Sequence, residues 1–361
     1  MELEMNKKRL LAIISAKKRE QQLIIETTRR MLSDLCGKEV VDASEQGIWP
    51  GNLWHNLEDA GLTLAGIPSE LDGSGGVKAD SLLVIREAAS FAAPVPLSET
   101  FIAATMLAEV GEKCPQGPMT VASADWQFEN EKDGTKISGQ AGNVVFGEYC
   151  QHFLLVGEDS VCLLPRQVIS LESHNNLAGE SVSGFELNQS VPGVRSLKFS
   201  DVRFDGPKDF LLHLGAVSRV QMMSGAMTSI LGLSVQYALE RVQFGKPIAG
   251  FQAIQQQLAI LAGHVAACQR AADSLLDSPT AFDIAVAKAR VGEAVTEVAD
   301  IAHQVHGAIG YTLEHALNHR TRRLWVWRDE YGNENFWQKQ VGTEICTGGA
   351  ARLWSRITDA A

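Results

Sequence analysis

The sequence predicts an α+β fold in three parts: a helical N-terminal region, a central β-barrel or sandwich, and a C-terminal helical bundle. Three textures carry that reading. Apolar residues recur at three- and four-residue spacing up to about Gly117. Short apolar or alternating runs sit between turn residues from about Pro118 to Pro207. Long helical patterns then run from about Lys208 to the end. At 361 residues, 45% hydrophobic and 21% charged, the chain has ordinary globular composition and exceeds one ordinary core. Domains are therefore expected over residues 1–117, 118–207 and 208–361.

In the first region, Gln21–Leu35 and Asp80–Ala92 have amphipathic helical patterns. A loop rich in glycine and proline, from Gly66-Ile67-Pro68 to Asp72-Gly73-Ser74-Gly75-Gly76, separates them. No lysine follows at the spacing of a phosphate-binding loop, so these glycines read as turn residues. The basic stretch Lys7, Lys8, Arg9, Lys17, Lys18, Arg19 is balanced by later acids and reads as a solvated helix face. A net charge of −11 argues against nucleic-acid binding, which needs a concentrated basic face.

The central region has strand-like runs at Thr120–Ala122, Thr135–Ser138, Phe153–Val156, Val161–Leu164 and Ser196–Phe199. Turns at Asp133-Gly134, Gly157 and Pro192-Gly193 suggest an antiparallel sheet closing on itself. The last region predicts helices over Phe210–Val242, Phe251–Leu276, Ala281–His306, Thr312–Trp327 and Asn335–Thr358. Breakers at Gly245 with Pro247, Pro279, and Gly307 with Gly310 leave short links, which make an antiparallel bundle.

No apolar run approaches the roughly 20 residues that a membrane helix needs, and Leu10–Ile14 is too short for a signal-peptide core. The six cysteines are dispersed with no CxxC pair, which implies reduced thiols and a cytoplasmic protein. His315 and His319 lie four apart after Glu314, a spacing that suits zinc, but no third ligand stands in a fitting context. They read as a polar helix face, and no metal is expected. Trp325, Trp327 and Trp337 read as packing between the last helices.

Two stretches point to chemistry. Arg241-Val242-Gln243-Phe244-Gly245-Lys246-Pro247-Ile248, followed by Phe251-Gln252, reads as a helix end closed by Gly245 and Pro247. An arginine held at such a turn can clamp a diphosphate through its planar fork. Gln304-Val305-His306-Gly307-Ala308-Ile309-Gly310-Tyr311-Thr312 places two glycines three apart, ahead of a threonine able to cap the next helix. Singly, each is an ordinary surface arginine or helix–helix turn.

In this order and about sixty residues apart, the two stretches resemble the acyl-CoA dehydrogenase family. The family carries an Arg-x-x-Phe-Gly turn, a following glutamine, and a Gln-x-x-Gly turn. Leu64–Gly76, the helix running from Arg86 to Pro94-Val95-Pro96-Leu97, and Leu197–Phe204 resemble further family segments, so the likeness touches nearly the whole chain. It implies a tetramer with FAD across subunit interfaces, an acyl-CoA thioester beside the flavin, and an electron-transfer flavoprotein-like acceptor. Arg241, Phe244, Gln252, Gln304, Gly307 and Gly310 would grip the ADP half of a neighbour's FAD. The implied reaction is α,β-desaturation, in which a carboxylate takes the α-proton.

Two family features are missing. Val121–Trp126 and Val144–Tyr149 stand where segments supporting the flavin ring are expected, and neither pattern is recognisable. Trp126 stands in the wrong context for flavin stacking and reads as a core or barrel-mouth residue. The position of the catalytic glutamate falls on Tyr331, one residue from Glu330, and the alternative position in Leu212–Arg219 holds no acid. Both losses resemble the short subunits of α2β2 acyl-CoA dehydrogenases of bacterial steroid and side-chain catabolism. The expectation is therefore a less catalytic subunit that lends its ADP-binding turns to a longer homologous partner. The alternatives are a self-sufficient enzyme with Glu330 as base, and a helical scaffold without flavin.

Overall fold

The computed structural model describes residues 2–201 and 203–358, with side chains described from Lys17 to Trp354 apart from Val202. The N-terminal part comprises α1 (Glu2–Leu35), α2 (Lys38–Glu45), α3 (Gly51–Asp59), α4 (Lys78–Ser90) and α5 (Leu97–Glu109). Two long helices correspond to the predicted Gln21–Leu35 and Asp80–Ala92 patterns. The glycine-rich loop between them folds back on itself through Gly66 N–H to Gly75 O (2.7 Å) and Gly75 N–H to Ile67 O (2.8 Å).

The central part holds β1 (Met119–Ser123), β2 (Gln127–Asn130), β3 (Gly134–Val145), β4 (His152–Val156), β5 (Ser160–Pro165), β6 (Glu172–Asn175), β7 (Ser181–Pro192) and β8 (Ser196–Lys198). They form two four-stranded sheets, ordered β1-β4-β5-β8 and β2-β3-β7-β6. The sheets enclose an apolar core that includes Trp126, Ile137, Phe153, Leu155, Phe185 and Leu187. Most neighbours run antiparallel as expected, but β1 pairs with β4 in parallel. The chain reaches β4 by way of β2 and β3, which belong to the other sheet, so no tight hairpin joins the two. Strands β2, β6 and β7 escaped the sequence reading. Trp126 is a core residue: its indole N–H donates to Ala122 O (2.9 Å) and its ring stacks on Phe185.

The C-terminal part comprises α6 (Pro207–Glu240), a hairpin of β9 (Val242–Gln243) and β10 (Lys246–Pro247), α7 (Gln252–Ser274), α8 (Ala281–His306), α9 (Leu317–Asp329), α10 (Glu334–Gly348) and α11 (Ala350–Thr358). Two expectations need correction. The predicted helix Thr312–Trp327 begins only at Leu317, because Gly307–Tyr311 coils into a 3-10 turn. Thr312 caps nothing; its hydroxyl donates back to Ile309 O (2.9 Å). The predicted Asn335–Thr358 helix is broken at Gly349, whose φ of +73° suits glycine. By contrast, α8 begins and ends as predicted, because Thr280 and Asp283 form a capping box and Gly307 at φ +64° stops it.

The helices from both ends of the chain share one core, in which α4 packs on α6 and α6 on α8. The α4–α6 approach depends on Gly225, where an added Cβ would meet the backbone oxygen of Arg86. A buried ionic cluster joins the parts further. His319 of α9 faces Asp42 and Glu45 of α2 through its two ring nitrogens, at 2.8 Å each. Arg322 pairs with Glu45 (2.7 Å), and Arg323 reaches Glu180 at the edge of β7 (3.5 Å). Against the cost of burial, hydrogen bonds from His319 and Arg322 hold Glu45 down at about 2. Trp327 and Trp337 are buried in the shared core. Five cysteines are buried free thiols and Cys346 is exposed. None of the described helices is long and apolar enough to cross a membrane.

Gly225→Ala is expected to destabilise the protein by about 1–3 kcal/mol, because the obstructing atom is backbone and the helices must separate. Urea unfolding of the two proteins measures this, and an unchanged midpoint would remove Gly225 as the contact that sets the helix spacing.

Candidate active site

Two clefts gather the residues singled out in the sequence. The first, of about 580 Å³, lies between the end of α6, the β9–β10 hairpin, the start of α7 and the α8–α9 turn. Arg241, Phe244, Gln304 and Gly307 line it together. Backbone bonds set its shape: Arg241 N–H donates to Tyr237 O (2.9 Å), and Ile248 N–H to Arg241 O (2.8 Å). The helix thus ends in a two-residue hairpin whose tip residues, Phe244 (φ +53°) and Gly245 (φ +80°), are both left-handed. Phe244 is an uncommon residue for that conformation and is 90% exposed, with its ring meeting Phe251 edge-on. The hairpin tip thus holds an uncommon backbone and presents an exposed aromatic ring.

Arg241 is exposed and makes no ion pair among the described residues, and no carboxylate lines the cleft. Its floor is His306, stacked on Tyr237 and met edge-on by His315, with ring centroids 4.7 Å away on each side. Burial lowers the affinity of His306 for a proton. Gly307 leaves open space where a side chain would stand. Gly310 is turned inward instead: an added Cβ would crowd His306 and Leu317, so its small size serves packing. Gln252 is exposed at the start of α7, beside this lining but outside it.

The second cleft, of about 450 Å³, lies between the β-region and the bundle. Val121 and Ser123 of β1, Gly142 and Asn143 of β3, Leu211 and Arg219 of α6, and Glu330 with Tyr331 line it. The register of β3 on β7 slips at Gly142–Asn143, and this bulge turns Asn143 (φ +57°) to the cleft.

Beneath lies Arg219, 1% exposed, between two carboxylates. Its Nε donates to Glu330 (2.5 Å), one terminal nitrogen donates to Glu99 (2.5 Å), and the other donates to Ser98. Glu330 keeps 22% of its side-chain surface open. Burial pushes its carboxyl up to about 7, against the opposing pull of Arg219, with Glu180 and Glu99 adding to the rise. Glu330 is therefore poised to exchange a proton near neutrality. Glu99 and Arg219 escaped the sequence reading as site residues. Their one visible signal was charge within apolar helices, in Pro96-Leu97-Ser98-Glu99-Thr100-Phe101 and Val217-Ser218-Arg219-Val220.

With this geometry in view, the chain was compared with known proteins. The family model for the acyl-CoA dehydrogenase N-terminal domain matches residues 18–114, and that for the C-terminal domain matches residues 209–348. The chain belongs to the acyl-CoA dehydrogenase family. Acyl-CoA dehydrogenase IpdE2 of Mycolicibacterium smegmatis is 29% identical, covering 82% of this chain and 90% of its own. Acyl-CoA dehydrogenase FadE27 of Mycobacterium tuberculosis is 28% identical, covering 74% and 80%. Among solved structures, the ChsE4-ChsE5 complex of Mycobacterium tuberculosis superposes with a TM-score of 0.78 at 23% identity, covering 90% of this chain and 97% of the matched one. The Tcur3481-Tcur3483 steroid ACAD gives 0.80 at 21%, covering 92% and 99%. At these identities the structural likeness speaks to the fold. As an acyl-CoA dehydrogenase, the chain belongs with FAD-dependent oxidoreductases acting on the CH–CH bond.

The residues fit that cofactor unevenly. A cleft carrying an unpaired arginine and no carboxylate suits a diphosphate. The second cleft holds the Glu330 carboxyl, pushed up to about 7 by burial, while its β-strand wall is aliphatic and polar with no aromatic ring.

A pH signature follows. Glu330 binds its proton more tightly when folded than an unfolded glutamate does, so its contribution to stability is full in acid and lost as pH rises through about 7. Glu330→Gln is expected to flatten this decline. Urea midpoints taken from about pH 4, where an unfolded glutamate titrates, to about pH 8 measure it, and an identical slope in the variant would show that Glu330 does not titrate there.

Proposed function

We propose that this chain is the cofactor-gripping subunit of a hetero-oligomeric acyl-CoA dehydrogenase. Arg241, Phe244, Gln304 and Gly307 hold the ADP half of an FAD whose flavin ring rests on a longer homologous subunit. One observation carries the reading: the two clefts share no lining residue, are served by opposite halves of α6, and the β-strand wall of the second offers a flavin ring no aromatic side chain. A diphosphate held at the hairpin therefore belongs to a flavin that extends away from this chain's own β-region. Exposed apolar side chains beside the hairpin, including Leu239, Val242, Phe244, Tyr311 and Leu313, give a partner a surface to cover. Two structural neighbours carry paired names in their titles, and we extend that pairing to this chain without extending an acyl group.

The substrate is an acyl-CoA. Bound FAD supplies the hydride acceptor for the β-hydrogen, and an electron-transfer flavoprotein-like acceptor reoxidises the assembly. This chain's share is binding. Arg241 offers fixed donors to phosphate oxygens, Gln304 adds a polar contact, and Gly307 lets the backbone come close.

A second reading is favoured by the position of Glu330. Its carboxyl lines the cleft between the β-region and the bundle, and burial pushes it up to about 7. In that case the chain removes the α-proton itself, with Glu330 as base and Arg219 stabilising its anionic form.

Co-expression with a longer acyl-CoA dehydrogenase, followed by visible absorbance of each purified species, separates the readings. The chain alone is expected to be colourless and the assembly to carry flavin. Arg241→Ala and Gln304→Ala should each weaken flavin retention in the assembly by about tenfold, the loss of a hydrogen bond to a charged group. A stoichiometric flavin band on the chain alone would overturn the partner reading.

Turnover of Glu330→Gln decides the second reading. The partner reading expects kcat to remain near the wild-type value. The base reading expects a fall of roughly 10²–10⁴-fold.

A further inference from the structure

Lys288 is a charged residue in an apolar helix, Ala285-Val286-Ala287-Lys288-Ala289, and it is fully buried. Burial is costly for an ammonium and pushes Lys288 down to about 7, with Arg219 adding to the fall, so the side chain leans on its hydrogen-bond contacts. They are two backbone carbonyls, Arg328 O at 2.7 Å and Gly332 O at 2.6 Å. These two carbonyls bracket Asp329, Glu330 and Tyr331.

That bracketed turn is not one the chain adopts freely. Tyr331 (φ +52°) and Gly332 (φ +85°) are successive left-handed residues, and the first is a bulky aromatic. Lys288 ties the two sides of the turn together, and the indole N–H of Trp337 donates to Tyr331 O (2.9 Å) between them. So held, Tyr331 packs against Gly215 and stands over the Arg219 guanidinium at 5.2 Å. Glu330 is thereby aimed at the Nε of Arg219.

We propose that Lys288 is a positioning residue: by bridging the Arg328 and Gly332 carbonyls it sets the strained turn that delivers the Glu330 carboxyl to Arg219 and the cleft. The inference rests on the reading that the cleft beside Glu330 is the reaction cleft. Other charges facing the site are Arg219 from α6, Glu99 from α5, Glu180 at the edge of β7, and Asp329 and Glu334 flanking the turn. Lys288 differs from them in holding backbone.

Infrared difference titration of the purified full-length protein reads the Glu330 carboxyl, with Glu330→Gln as the subtraction that assigns its band. In wild type the protonated band should disappear around pH 7. In Lys288→Met two buried carbonyls lose their donor and the turn opens. The midpoint should then fall toward that of an ordinary solvated glutamate, about 4.3, a change of more than tenfold in proton affinity. Trp337→Phe removes the third tether and should shift the midpoint the same way by less. It also keeps the test available if Lys288→Met does not fold. Midpoints unchanged in the folded variants would overturn the proposal. So would a rise in Lys288→Met, which would mean that the ammonium acts only through its charge. The readout is independent of turnover: an active Glu330→Gln would remove Glu330 from the chemistry and leave this result standing.

Discussion

The architecture between the β-region and the bundle depends on one buried cation. Arg219 is removed from water and must be neutralised where it lies, so α6 can pack only with Glu99 and Glu330 brought to it. Glu99 comes from α5 and Glu330 from the end of α9, so one guanidinium fixes three helices about a point. The planar fork makes the arrangement directional: Nε serves one acid and a terminal nitrogen the other. Two acids on one arginine leave an excess of negative charge, and together with burial this disfavours ionisation of Glu330. The same construction that holds the helices thus holds a proton near neutrality.

The N-terminal part is secured by a related device in a different place. Glu45 accepts from both His319 and Arg322, and Arg323 turns toward Glu180, so α2, α9 and the edge of β7 meet in one ionic cluster. Breaking one member leaves the others buried and uncompensated, which makes such clusters costly to disturb.

Much of this was legible in the sequence, and the omissions have physical causes. The bundle helices could be read because periodicity, breakers and caps agree; Thr280, Asp283 and Gly307 mark both ends of α8. Strand β7 could not, because Ser181-Val182-Ser183-Gly184 and Glu186-Leu187-Asn188-Gln189-Ser190 place polar residues on a solvated face and inside the core edge alike. The parallel β1–β4 pairing is a long-range choice that local pattern does not encode. In the site, Arg241 and Gln304 stood out by their motif. Glu99, Arg219 and Lys288 did not, since a buried charge is recognised only when its partner is known, and each partner lies far away in the chain. Gly310 shows the reverse: its spacing suggested an approach to ligand, and its surroundings show packing.

Helix α6 carries Arg219 along its buried length and Arg241 at its C-terminal cap, roughly six turns and 33 Å apart. A rigid rod between two sites makes their relative angle a matter of residue count. One inserted residue would swing the hairpin about 100° around the helix axis relative to Arg219. The α4–α6 contact at Gly225 blocks the helix from rotating to compensate. Divergence in this chain can therefore change side chains along α6, while its length stays fixed between the two arginines.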